Sequence, residues 1–335
     1  MNRRAAICVL LAAPLANCGG VQTALGGEGA EGANFVRLFT VFMVVCMAMY
    51  LIITVGLIVA LRRRKSALTL DDRRHHETSP VLRPALAIWT ALVVTGLAAL
   101  TVASFLTDRS NAAVARDSRL TLTVTANQWW WDVEYHSPDA SRTVHTANEI
   151  HLPVGVPAEV ILKSNDVIHS LWIPNLAGKQ DLIPGRVTDL QLVPRKAGQY
   201  RGQCAEFCGI QHSLMALDVT VESKADFQRW SQAQLQPAPP PAGSLEVAGY
   251  GYFTTRECSS CHNIGGTPAS GQIAPDLTHF ASRRSIAAGT LPMTQANVAR
   301  WLADPQAQKP GNHMPTIGLS PDQVRALTAY LGTLK

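Results

Sequence analysis

Residues 204–215 read CAEFCGIQHSLM, with two cysteines, a histidine, a glutamate and a methionine in twelve positions. The donors Cys204, Cys208, His212 and Met215 are separated by three, three and two residues. A close cysteine pair in an oxidising compartment could be a disulfide, or the stretch could be a piece of core. Two thiolates, an imidazole and a thioether are together soft enough to suit copper. Zinc would use Cys and His and leave the Met without a role. Two copper ions bridged by two thiolates need one further strong donor each. His212 supplies one, and the other must come from outside the stretch.

The flanking sequence suggests where. "SNDVIHSLWIP" (164–174) carries His169, 35 residues before Cys204. A loop histidine followed much later by Cys, His and Met is the cupredoxin pattern, here with the single cysteine become a pair. "RLTLTVTA" (119–126) and "ALDVTVE" (216–222) alternate apolar and polar, and "AEVILKS" (158–164) and "DLQLV" (189–193) are shorter strand-like runs. Pro and Gly between them predict an antiparallel β-sandwich or barrel over 115–228. A Pro-rich linker over 229–243, ending in "LQPAPPPAG", reads as a semi-rigid spacer.

Residues 244–335 change character. "CSSCH" (258–262) is C-x-x-C-H, the attachment site of a c-type haem, with Cys258 and Cys261 as thioether donors and His262 as proximal iron ligand. A thioredoxin-like pair or half a zinc site would need no following His. Met314 in "KPGNHMPTIG" is the expected sixth ligand, with Met293 and His313 as competitors. "SPDQVRALTAYLGTL" (320–334) predicts a helix with Ser320 as N-cap, Pro321 at the first position and Gln323 completing a capping box. The unit is all-α and resembles small bacterial class I cytochromes c.

The N-terminal third is a different class of sequence. Charged residues are only 16% of the chain, and Leu38–Leu61 and Ala85–Leu106 contain none. Each run exceeds the ~20 residues that span a bilayer as a helix. This predicts transmembrane helices over 35–61 and 85–106. The loop 62–84 holds seven of the basic residues against three acids, so it is expected in the cytoplasm, with both redox domains on the periplasmic side of a bacterial inner membrane. The net charge of +5 is concentrated there, and nothing favours nucleic-acid binding. Residues 1–34 comprise a leader and a periplasmic N-terminal segment. "LANC", ending at Cys18, resembles a bacterial lipoprotein box, with Asn17 where a small residue is usual; lipidation and a plain leader both stay open.

"SNDVIHSLWIP", "KQDLIPGR", "GQCAEFCGIQHSLM" and "NQWWWDVEY" together look like subunit II of the haem–copper cytochrome c oxidases, and the fused haem domain looks like the caa-type branch. The resemblance implies that His169, Cys204, Cys208, His212 and Met215 ligate a dinuclear copper centre, with Glu206 joining through its backbone carbonyl. It implies a magnesium site at the Glu206 side chain, shared with subunit I. Trp129 matches the surface aromatic through which electrons enter; a half-buried anchor near the membrane is its other reading. The implied activity is that of an oxidoreductase and proton translocase. A donor, cytochrome c or another reduced protein, reduces haem c. Electrons then pass through copper to subunit I, with its haem a and copper B, where O2 becomes water, and subunit III is a further partner. Where the family often has a glutamate before the Trp of "IWT", this chain has Leu86, which puts a role in proton uptake in doubt. A copper-bearing subunit of a nitric oxide reductase is the alternative. A quinol oxidase subunit would lack Cys204 and Cys208, and a copper chaperone would not need a haem on the same chain.

Overall fold

The computed structural model describes residues 19–67, 82–115 and 119–335, with only the backbone described at 63–67 and 112–115. Cys8, Cys18 and most of the basic loop lie outside the described residues. The chain forms two compact units, Asn34–Ala113 and the remainder.

The first unit consists of helices α1 (Ala30–Ala67) and α2 (Leu82–Ala115), each longer than the charge-free run it contains. Both are long and apolar enough to cross a membrane, over Ala30–Arg62 and Leu82–Asn111, and neither span is buried in protein. Several of their polar side chains are satisfied locally, as hydrocarbon surroundings demand. The hydroxyls of Thr40, Thr54, Thr101 and Thr107 each donate to a carbonyl four residues back at 2.8 Å. Asn34 Nδ2 donates to Asn111 Oδ1 at 2.6 Å.

The second unit begins with a β-sandwich. Its strands are β1 (Leu120–Asn127), β2 (Trp130–Tyr135), β3 (Val144–Ala147), β4 (Glu149–Pro153), β5 (Ala158–Ser164), β6 (His169–Trp172), β7 (Lys179–Leu182), β8 (Thr188–Leu192), β9 (Gly198–Cys204) and β10 (Ala216–Glu222). One sheet has the order β3-β2-β1-β5-β8 and the other β4-β10-β9-β6-β7. The expected antiparallel arrangement is corrected in two places: β1 runs parallel to β5, and β10 parallel to β4. Alternation identifies a strand's buried face but carries no information on its direction. That face is built as the alternation implies, with Leu122, Val124 and Ala126 of β1 meeting Leu217, Val219 and Val221 of β10 in one core.

Residues before α1 join this domain. The amides of Glu28 and Gly29 donate to Asn175 O, Ala30 N donates to Val193 O, and Arg201 N donates to Val21 O. After the sandwich, helix α3 (Lys224–Gln234), capped by Ser223, occupies the first part of the stretch read as linker.

The C-terminal domain contains α4 (Ser244–Thr255), the single turn α5 (Cys258–Cys261), a two-stranded hairpin β11 (Ser285–Ile286) and β12 (Leu291–Pro292), α6 (Gln295–Ala303), α7 (Pro305–Gln308) and α8 (Pro321–Leu331). The Ser320 and Gln323 capping box forms as its sequence implies. Helices α4 and α8 cross at Gly249, where a Cβ would lie 2.1 Å from Ala326 O. Only glycine permits that approach. Tyr330 of α8 then packs edge-on against Tyr250 and Phe253 of α4.

Candidate metal centre

Two loops of one sheet bring the donors together. Cys204 ends β9, and β9 pairs with β6 through Leu171 opposite Cys204, so His169 at the start of β6 is placed beside it. The stretch then turns back, closed at its base by Cys204 N donating to Met215 O and Ala205 N to Ser170 O. Gly209 sits at φ +116° against the Trp129 indole, a backbone state that glycine alone adopts at low cost.

Cys204 Sγ and Cys208 Sγ are 3.7 Å apart. A disulfide requires about 2.05 Å, so both thiols are free, and both are buried. His169 Nδ1 lies 3.8 Å from Cys204 Sγ, and the Glu206 carbonyl 3.3 Å from the same sulfur. At the other cysteine, His212 Nδ1 is 3.7 Å and Met215 Sδ 3.9 Å from Cys208 Sγ. The donor set is thus symmetric in kind: a sulfur pair flanked at each end by one imidazole nitrogen and one weak donor. The hydrogen bond between the thiols holds Cys204 well below the usual thiol range and Cys208 well above it. Burial works against a charged His169, but bonds to Cys204 and Asp166 outweigh it and raise its pKa.

His169 is aimed from behind. Its Nε2 lies 2.8 Å from Asp166 Oδ1, and Asp166 is fixed by the amides of Val167 and Gln128, each at 2.6 Å. A histidine whose second nitrogen is held by a carboxylate presents the first to a metal in one orientation. The Cys208 carbonyl accepts from Gln128 Nε2 at 2.7 Å and from Trp129 Nε1 at 3.0 Å.

The haem motif is equally prepared. His262 Nδ1 lies 2.7 Å from Pro275 O, which leaves Nε2 for iron. Burial keeps this imidazole's pKa low, so it is neutral and ready to ligate. Cys258 and Cys261 stand at the two ends of one helical turn, both partly accessible. Met293 packs against the domain's core, whereas Met314 is absent from it among the described residues. His313 turns its ring to Trp129, with centroids 5.5 Å apart.

Comparison with known proteins agrees with this chemistry. Residues 136–223 match the family profile described as cytochrome c oxidase subunit II, periplasmic domain, and residues 247–335 match that of cytochrome c. Cytochrome c oxidase subunit 2 of Bacillus sp. (strain PS3) is 34% identical over 267 residues, covering 74% of this chain and 73% of that protein. The chain belongs to the cytochrome c oxidase subunit II family. A second family member, from Alkalihalophilus pseudofirmus, is 29% identical over 93% of this chain and 91% of its own. The subunit II fold therefore carries a copper site in its sandwich and haem in its fused cytochrome domain, and works beside subunit I in a haem–copper oxidase.

The structure of this subunit II chain brings the ligand atoms of His169, Cys204 and Cys208 within 4.8 Å of one another, with the Glu206 carbonyl beside Cys204 and His212 and Met215 beside Cys208. The Glu206 carboxylate is instead partly exposed, 3.9 Å from Lys179, which also lies 4.0 Å from Asp181. A magnesium ion there would have to displace that ammonium. Trp129 is not at the surface: it is 7% exposed. Two residues near the centre were not found from the sequence. Asp166 carries a faint signal, three positions before His169. Lys309 carries none.

Proposed function

We propose that this chain is the electron-accepting subunit of a terminal oxidase, moving electrons from covalent haem c through a dinuclear copper centre to subunit I, where O2 is reduced to water. Cys258, Cys261, His262 and Met314 would hold the haem, and His169, Cys204, Cys208, His212, Met215 and the Glu206 carbonyl would hold the copper pair. When bound, these groups supply one-electron redox chemistry. The chain's own residues bury the site, orient the ligands through Asp166, and connect Trp129 to the Cys208 carbonyl. The single observation that carries the dinuclear reading is the donor set at each cysteine, one imidazole nitrogen plus one weak ligand. One copper would leave half of that set unused.

The membrane topology is read from the two apolar helices. Residues 20–29, before α1, are hydrogen-bonded to the copper domain that follows α2. This supports a chain that crosses the bilayer twice, with both ends of the helical pair outside and the basic loop in the cytoplasm. Phe207, 75% exposed beside the copper ligands, is an apolar surface suited to subunit I.

The test is metal analysis with electron paramagnetic resonance on the purified full chain. The expected result is copper and iron at about two to one, with one unpaired electron shared by two coppers. A single copper, or zinc, would overturn the reading.

A further inference from the structure

The cytochrome domain is not merely tethered to the copper domain. Lys309, between α7 and the Met314 loop, is 2% exposed. Its Nζ donates to Trp129 O and Leu214 O at 2.8 Å and to Ala287 O at 3.1 Å. The first two carbonyls belong to the copper domain, and Leu214 lies within the metal loop itself. An ammonium has three N–H donors, so this cage fits its protonated form. Burial pulls the pKa down to about 7, opposed by the nearby Cys208.

A second feature shares Ala287 with this cage. In the turn between β11 and β12, Ala287, Ala288 and Gly289 all have positive φ, at 54°, 58° and 74°. In left-handed alanines the Cβ crowds the following carbonyl oxygen, so the surrounding contacts must impose the shape. It directs three successive carbonyls into the interface: Ala287 O to Lys309, Ala288 O to Ala216 N at 3.0 Å, and Gly289 O to Arg201 Nη1 at 3.3 Å. The same contact sets His313 over Trp129.

We propose that Lys309 and the 287–289 turn form a latch that fixes the haem domain in one docked position over Trp129, closing that surface to separate donor proteins. An external donor then delivers electrons to the haem domain and never to Trp129. This rests on the proposed function only for the direction of electron flow; the latch itself is a statement about docking.

The test uses the full haem- and copper-loaded chain in detergent with a specific protease site placed in residues 239–243. After cleavage, the haem domain of the otherwise native chain should stay bound through dilution and gel filtration. Lys309→Met should release it, with retention at least about tenfold weaker, because buried charge-assisted hydrogen bonds are lost. Hydrogen exchange should rise together in residues 210–216 and 286–290. Release of the native haem domain on cleavage, or unchanged retention in Lys309→Met, would overturn the latch. If Lys309→Met does not fold, Arg201→Gln, which removes only the contact to Gly289, should still raise exchange at 286–290; no rise there counts against the proposal. Copper, iron and spectra measured on the same samples separate a failed latch from a failed redox assignment.

Discussion

Replacing Asp166 with Asn tests whether the histidine farthest from the copper loop is aimed by its carboxylate. Asp166 Oδ1 accepts from Val167 N and stands 2.8 Å from His169 Nε2, while Oδ2 accepts from Gln128 N. All three partners present N–H when His169 offers Nδ1 to a metal. Asn has the same shape but only one acceptor atom, so its NH2 must face at least one N–H. An unsatisfied donor of this kind costs roughly 1–3 kcal/mol. Asp166 is 27% exposed at its side chain, so water recovers part of that and the lower half of the range applies. Loss of such an orienting partner typically weakens metal binding 10–100-fold, about 1.4–2.8 kcal/mol, in line with this range. The assay is copper competition against a chelator, with hyperfine coupling of the two imidazole nitrogens read in parallel. Asp166→Asn should weaken copper binding at least about tenfold and alter the coupling of His169 while leaving that of His212 alone. Affinity within a factor of about two, with both couplings unchanged, would refute the argument and assign the orientation of His169 to packing against Trp131.

Three further outcomes are expected. Met314→Ala should convert the haem from low-spin Met/His ligation to another state, and Met293→Ala should not, as their optical spectra will show. Gly249→Ala should destabilise the cytochrome domain by at least about 1–3 kcal/mol, because its Cβ would strike Ala326 O; denaturant titration of the haem absorbance measures it. Stability should also depend on pH through the buried group of His151, Glu149, Glu222 and Arg283. Burial opposes the charge on His151 and on Glu149, but it is outweighed by their hydrogen bonds and charges, so the pKa of His151 is raised and that of Glu149 lowered. The His151 contribution is complete below its ordinary 6.5 and is lost as pH rises through the higher folded value. The Glu149 contribution is complete above its ordinary 4.5 and is lost as pH falls through the lower folded value. Thermal unfolding should therefore be most resistant between these two values, and Glu149→Gln should remove the acid-side loss.

Much of the centre was legible because its information is local. Cys204 to Met215 and Cys258 to His262 are contiguous, and ligand chemistry alone restricts what such spacings can hold. The Ser320 cap and the alternation in β1, β5 and β10 are local for the same reason. What could not be read depends on contacts between distant positions. The parallel pairings of β1 with β5 and β4 with β10 leave no periodic trace. Residues 20–29 reach Asn175 across roughly 150 positions, and Lys309 reaches Trp129 across 180. A lone lysine in a Pro- and Gly-rich loop looks like a solvated charge until three carbonyls are seen around it.

Trp129 is where the local and the distant information meet. As a residue in a Trp triplet it reads as a surface aromatic or a membrane anchor. Its indole N–H instead bonds the Cys208 carbonyl, and its own carbonyl accepts from Lys309. The backbone then runs five residues from Lys309 to Met314. A connection made only of covalent and hydrogen bonds thus joins the Met314 loop of the haem domain to Cys208 of the copper loop. Such a connection serves electron transfer only if the two domains hold one relative position, since a swinging domain would break the Lys309 link. The semi-rigid linker cannot impose that position by itself, and the caged ammonium and the strained alanine turn can.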